Sequence, residues 1–126
     1  MILVSWNCRD PGNPSKLNTV KDLLIIETPD ILLLQETKID EETLLLLSIT
    51  KWKKNVGIAV SVRGSSGGLA TLWSKEDFSL KNYFATQHWI FTEIHHLQSK
   101  LTFSLFNLYV HVTMERKKTI GTLLQI

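Results

Sequence analysis

Residues 29–40 read PDILLLQETKID, and the reading of this stretch decides the fold. Ile31 to Leu34 is a continuous apolar run, closed on one side by Asp30 and on the other by Gln35 and Glu36. Without polar alternation and too short for a helix, such a run reads as a strand buried on both faces. Immediately before it, Thr28-Pro29 ends a helix, because the residue preceding proline is pushed out of the helical region. That helix starts from Ser15 as N-cap and sets Leu17, Val20, Leu23 and Leu24 at helical spacing, with Lys16, Lys21 and Asp22 on the other side. Further back, Met1 to Trp6 is a second apolar run that ends at Asn7 and enters a Pro/Gly/Asn loop, Asp10 to Pro14. Strand, helix, strand in so short a span is a βαβ unit, and its handedness rule makes the two strands parallel.

Toward the C-terminus, Asp40 to Ile49 reads as a short helix with Glu41 and Glu42 in its first turn, where negative charge suits the helix dipole. Beyond Trp52 the pattern changes to strand-like runs: Val56 to Val62, Leu69 to Trp73, Phe78 to Phe84, Trp89 to Ile94 and Leu101 to Val110. Consecutive strands favour antiparallel pairing, as in a sandwich. The clearest turn between them is Arg63 to Gly68. It reads as structural, since its glycines supply positive φ and it lacks the lysine and helix of a P-loop. Met114 to Ile126 reads as the opening of a helix. No repeat or Pro/Gly-rich linker divides the chain, so residues 1–126 form a single domain.

Composition narrows the class. Apolar residues are 44% and charged residues 21% of the chain, which argues against disorder. The net charge of +2 does not decide on nucleic-acid binding, because a local patch matters more than the total. No apolar run approaches the roughly 20 residues that span a bilayer. The start, MILVSWNCRD, lacks the form of a signal peptide. With one cysteine, Cys8, no internal disulfide forms. These features together suggest a nuclear or cytoplasmic protein without a membrane partner.

The chemistry resides in what ends the two apolar strands. In a parallel pair both carboxyl ends reach the same sheet edge, where α/β folds place ligands, so Asn7 and Glu36 are expected to be neighbours there. A carboxylate closing an apolar run is costly to desolvate unless something pairs with it. Mg²⁺ is one such partner, since it takes one or two carboxylates and completes its octahedron with water and phosphate. The plainer alternative makes Glu36 a helix cap or a partner of Lys38. Alternation along the last strand-like run sets Leu101, Phe103, Leu105, Asn107 and Tyr109 on one face. Tyr109 there either offers its hydroxyl to a phosphate or is a core tyrosine. His95 and His96 are adjacent on a strand and point to opposite faces, which disfavours a shared zinc. His111 lies on the Tyr109 side, and Cys8 reads as a small buried residue.

SWNCR at 5–9, PDILLLQETKID at 29–40, SSGGLATLW at 65–73 and NLYVH at 107–111 follow one another in that order. Together they resemble the endonuclease/exonuclease/phosphatase family, and most closely the endonuclease domain of non-LTR retrotransposons. Even the tail, MERKKTIGTLLQI, is similar to the helix that follows the tyrosine strand there. The resemblance implies an α/β (α+β) fold, part of a four-layer α/β-sandwich of the deoxyribonuclease I-like type. It also implies a hydrolase that cleaves DNA with Mg²⁺, or Mn²⁺ in its place. Carried over by residue, Glu36 would bind the metal, Asn7 would orient the scissile phosphate or a water on the metal, and Tyr109 would hydrogen-bond the phosphate.

The chain also departs from that pattern. The family's Gly-Asp-Phe-Asn-like and Ser-Asp-His motifs, which carry its acid/base machinery, have no counterpart after Tyr109, where the only carboxylate side chain is Glu115 and the only histidine His111. Arg9-Asp10 stands where the retrotransposon type has Arg-Gly. The expectation is the N-terminal part of the domain, catalytically incomplete alone, or else a non-catalytic remnant that binds nucleic acid or protein. An unrelated α/β domain is the third reading, and four ordered matches argue against it. A partial fold would leave apolar strand faces such as Phe103, Leu105 and Phe106 partly uncovered, which invites a partner or aggregation.

Overall fold

A computed structural model describes residues 1–8, 22, 25–37, 55–60, 68–108 and 118–122, with backbone alone for 55 and 118–122. The strands are β1 (Ile2–Asn7), β2 (Ile31–Gln35), β3 (Asn55–Val60), β4 (Leu69–Ser74), β5 (Phe78–Ala85), β6 (Trp89–His96), β7 (Thr102–Leu108) and β8 (Lys118–Thr122). They form a five-stranded sheet in the order β3-β4-β2-β1-β8 and a three-stranded sheet in the order β5-β6-β7.

β1 and β2 are parallel, as the βαβ reading requires, with Leu3 opposite Ile31 and Asn7 opposite Gln35. Asp30 sets their start: its carboxylate accepts from the Ile2 amide, and its own amide donates to the Ile2 carbonyl at 2.8 Å. Of the helix expected over 15–27, residues 22, 25 and 26 are described and are helical. The helix expected over 40–49 lies outside the described residues.

The strand run from β3 onward divides between the two sheets, and the burial pattern shows why. Ile31 to Leu34 and Leu69 to Trp73 are buried residue after residue, so β2 and β4 sit at the centre of a sheet covered on both faces. Strands β6 and β7 alternate buried and exposed residues, which marks a sheet covered on one face. Ile31, Leu33, Trp73, Phe78, Ile94 and Leu105 join across the gap between the sheets. Val4, Cys8, Leu32, Leu34, Ala70 and Leu72 make a separate cluster on the other face of the larger sheet. Burying each large side chain of this kind contributes roughly 1.5–3 kcal/mol. Cys8 is fully buried, as its sequence context suggested.

Two expectations need correction. The helix expected over Met114 to Ile126 is not what forms over residues 118–122. They make strand β8, antiparallel to β1, with Ile2 opposite Thr122 and Val4 opposite Ile120. Thr119, Ile120 and Thr122 are β-branched and Gly121 weakens a helix, while β1 offers an edge that a strand satisfies. The uncovered face is also narrower than expected. Leu105 is buried and Phe103 packs against the inter-sheet core, because both point to the larger sheet. Phe106 points away and is 58% exposed, beside Phe84 at 59% and Leu108. Phe84 stacks on Trp89 at 5.2 Å between ring centroids, and Phe91 meets Phe106 at 5.0 Å.

Two substitutions test this packing in opposite directions. A Cβ on Gly57 would lie 2.6 Å from the Thr71 carbonyl oxygen and against the Leu72 side chain. Gly57→Ala should therefore lower stability by about 1–3 kcal/mol in urea unfolding. Thr92 is fully buried and its Oγ1 meets no hydrogen-bond partner among the described residues. Thr92→Val should raise stability by about 1 kcal/mol, read from the same unfolding midpoint.

Candidate functional site

The site is built at the carboxyl ends of β1 and β2. Asn7 and Gln35 are register partners across the parallel pair, and the Cys8 amide carries the ladder one step further to the Gln35 carbonyl at 2.7 Å. Glu36 follows directly. The expected neighbourhood of Asn7 and Glu36 at one sheet edge is therefore what the register produces.

Glu36 is only 4% exposed and adopts φ = 49°. A non-glycine residue in the left-handed region costs about 1–2 kcal/mol, and it persists where flanking contacts over-determine it. Those contacts lie on both sides. On one side, Gln35 Nε2 donates to Asn107 Oδ1 at 2.8 Å and to Ser5 Oγ at 3.2 Å. On the other, the Thr37 amide donates to the Gly68 carbonyl at 3.2 Å, and Thr37 is itself buried. Gly68 takes φ = 100°, which only glycine adopts without strain. The end of the glycine-rich turn thus has the structural role read from the sequence, at a position that holds the loop after Glu36.

Asn107 is the residue that alternation placed on one face with Leu105 and Tyr109 without giving it a role, and the structure turns that face inward. It lies on β7 in the smaller sheet, 1% exposed. Its Nδ2 donates to the Leu34 carbonyl at 3.2 Å, the Ala70 carbonyl at 2.9 Å and Thr71 Oγ1 at 3.3 Å. One carboxamide thereby joins β7 to β2 and β4. Ser5 and Gln35 were missed as well. The signal available for all three was a polar residue at a position that alternation turns inward.

Tyr109, His111, Asp10 and residues 64–67 of the glycine-rich turn lie outside the described residues. His95 Nδ1 meets Thr102 Oγ1 at 3.0 Å and His96 Nδ1 meets Ser99 Oγ at 2.7 Å, so the two histidines serve separate partners. Among the described residues no group of three or more His, Cys, Asp or Glu side chains gathers at one point. Among the described residues at the rim, Glu36 offers a carboxylate and Asn7 a carboxamide oxygen, both hard donors. That set suits Mg²⁺ held by one carboxylate with solvent and phosphate, and does not suit zinc.

No protein-family profile and no curated protein matches the sequence. Solved structures do match. The human Nocturnin catalytic domain with bound sulfate superposes with a TM-score of 0.64 at 16% identity, over 84% of this chain and 48% of that one. An endonuclease/exonuclease/phosphatase protein from Bacteroides vulgatus gives 0.64 at 10% identity, over 84% and 51%. D. rerio TDP2, complexed with a single-strand DNA product, gives 0.62 at 17% identity, over 90% and 48%. The chain has the deoxyribonuclease I-like fold. It spans about half the length of the solved structures it matches, and no helix among the described residues is long and apolar enough to cross a membrane.

The backbone strain at Glu36 makes a testable trade-off. Glu36→Gly should stabilise the chain by about 1 kcal/mol, since glycine occupies the left-handed region freely and no carboxylate is then buried. A fall in the urea midpoint instead would show that the interactions of the Glu36 side chain outweigh the backbone strain.

Proposed function

We propose that the chain is an endonuclease-like phosphodiesterase domain, closest to those of non-LTR retrotransposons, whose rim at Asn7 and Glu36 takes Mg²⁺ and a DNA phosphodiester. The observation that carries this reading is Glu36 itself: a nearly buried carboxylate held in a strained backbone conformation beside Asn7, at the carboxyl ends of adjoining strands. Strain of that kind concentrates at functional sites. The likeness to endonuclease/exonuclease/phosphatase structures supports a phosphodiesterase-like domain. The DNA product bound to TDP2 is consistent with DNA as substrate class.

Within this reading, Glu36 holds the cation and Asn7 orients the scissile phosphate through its carboxamide. Tyr109 donates a hydrogen bond to a phosphoryl oxygen, as the resemblance implies. The cation, when bound, neutralises charge on the phosphate. Neither Asn7 nor Tyr109 is a general base at neutral pH, and phosphodiester hydrolysis needs a proton acceptor for the attacking water and help for the leaving group. The 126-residue chain alone is therefore a binding half-site with negligible turnover, since losing part of a catalytic unit removes most of its rate.

A second reading is a non-catalytic domain that retains the fold for a nucleic-acid or protein partner. The exposed aromatic face of Phe84, Phe106 and their neighbours favours it, because apolar patches of this kind mark interaction surfaces.

Metal binding separates these, and supercoiled-plasmid nicking tests the inactivity that both expect. The purified chain should show no Mg²⁺-dependent nicking above that of Glu36→Gln, while Mn²⁺ binding, followed by water-proton relaxation, should be lost in Glu36→Gln. Nicking that requires Mg²⁺ and vanishes in the variant would overturn the predicted inactivity. Equal Mn²⁺ binding by both would overturn the assignment of Glu36.

A further inference from the structure

We propose that Asn107 is a positioning residue for Glu36, acting through Gln35; this rests on the reading of Glu36 as the cation-holding carboxylate. The geometry has a direction built into it. Nδ2 of Asn107 has two protons and faces three acceptors, the carbonyls of Leu34 and Ala70 and the hydroxyl of Thr71. Those acceptors fix which way the carboxamide faces, leaving Oδ1 to accept from Gln35 Nε2 at 2.8 Å. Gln35 is oriented in turn, with its Oε1 left toward Ser5 Oγ at 3.5 Å. Asn107 thus holds the Leu34 carbonyl and the Gln35 side chain, the two residues that lead directly into Glu36.

This restraint on the φ of 49° at Glu36 adds to the ladder bonds that hold the Gln35 backbone. A relaxed Glu36 would return to the right-handed or extended regions, which are favoured by about 1–2 kcal/mol. Thr37 is tied to Gly68 on the far side, so loosening the near side frees the turn to rotate. The bond to Gln35 ties β7 to the larger sheet as the others do, and it is also the shortest of the Asn107 side-chain bonds and the one that reaches the side chain preceding Glu36.

The test uses the 126-residue chain and compares Asn107→Ala, Gln35→Ala, the double variant and Thr71→Val. Asn107→Ala and Gln35→Ala should each weaken Mn²⁺ binding about tenfold, as loss of a ligand-orienting partner typically does. The double variant should be no weaker than either single, because both break one relay. Thr71→Val removes a partner of Asn107 that does not lead to Gln35. It should lower the unfolding midpoint and leave Mn²⁺ affinity unchanged. Amide exchange provides a reading independent of the metal: Thr37 should exchange about tenfold faster in Asn107→Ala, with Leu32 and Leu72 unaffected. If Asn107→Ala does not fold, Gln35→Ala carries the same expectations at the rim. Unchanged Thr37 exchange in a folded variant overturns the positioning role. So does unchanged Mn²⁺ affinity where Glu36→Gln loses it. If Glu36→Gln binds Mn²⁺ as the parent does, the metal reading fails, and Thr37 exchange alone decides the positioning role.

Discussion

The described part of the structure depends on one carboxamide crossing from one sheet to the other. An apolar core between sheets resists separation but resists sliding poorly. A strand displaced by two residues still presents its apolar side chains to the core, because side-chain direction repeats every two residues. Asn107 removes that freedom. Its bonds to Leu34, Gln35, Ala70 and Thr71 exist at one register of β7 against β2 and β4. At any other, a buried amide would face apolar side chains, at a cost of a few kcal/mol. A fully satisfied buried network of this kind specifies one arrangement more sharply than the surrounding apolar contacts do.

The elements written in local pattern are legible in the sequence. Ile31 to Leu34 announces a strand covered on both faces, and it is buried throughout. The βαβ reading follows from its spacing to Met1–Trp6 and makes Asn7 and Glu36 neighbours, which the register bears out. What escapes is what depends on a distant partner. β8 is such a case: Thr119-Ile120-Gly121 is too short a signal to outweigh the helix-like charges before it, and its strand form is imposed by pairing with β1. Asn107 is another. Alternation turns it inward, but only the approach of β2 and β4 gives it three acceptors and a donor. The left-handed backbone of Glu36 is invisible for the same reason, since it arises from contacts made by Gln35 and Thr37 with strands far away in sequence.

Burial of Glu36 and its strain have a common physical source. A glutamate in the left-handed region has no local reason to stay there, unlike asparagine or glycine. Its position is held because Gln35 and Thr37 are committed elsewhere, to Asn107 and Ser5 on one side and Gly68 on the other. The arrangement fixes the backbone that carries the carboxylate. On the proposed reading of Glu36, such preorganisation would lower the ordering cost of binding a cation.

The same geometry ties the rim to the outer aromatic face. On β7, Asn107 points inward while its neighbours Phe106 and Leu108 point outward and are exposed. Across the hairpin, Asn107 stands opposite Ile90, Leu108 opposite Trp89, and Phe106 opposite Phe91. The aromatic contacts of Trp89 and Phe91 with Phe106 therefore brace, from outside, the segment that carries Asn107 on its inner side. Among the described residues β7 is the last strand of its sheet, with β6 on one side of its backbone. At this end its position is set by β6, by the aromatic contacts and by the Asn107 carboxamide. The aromatic face and the Asn107 network therefore lie on opposite sides of one strand, and the register that seats Phe106 outward is the register that seats Asn107 against β2 and β4.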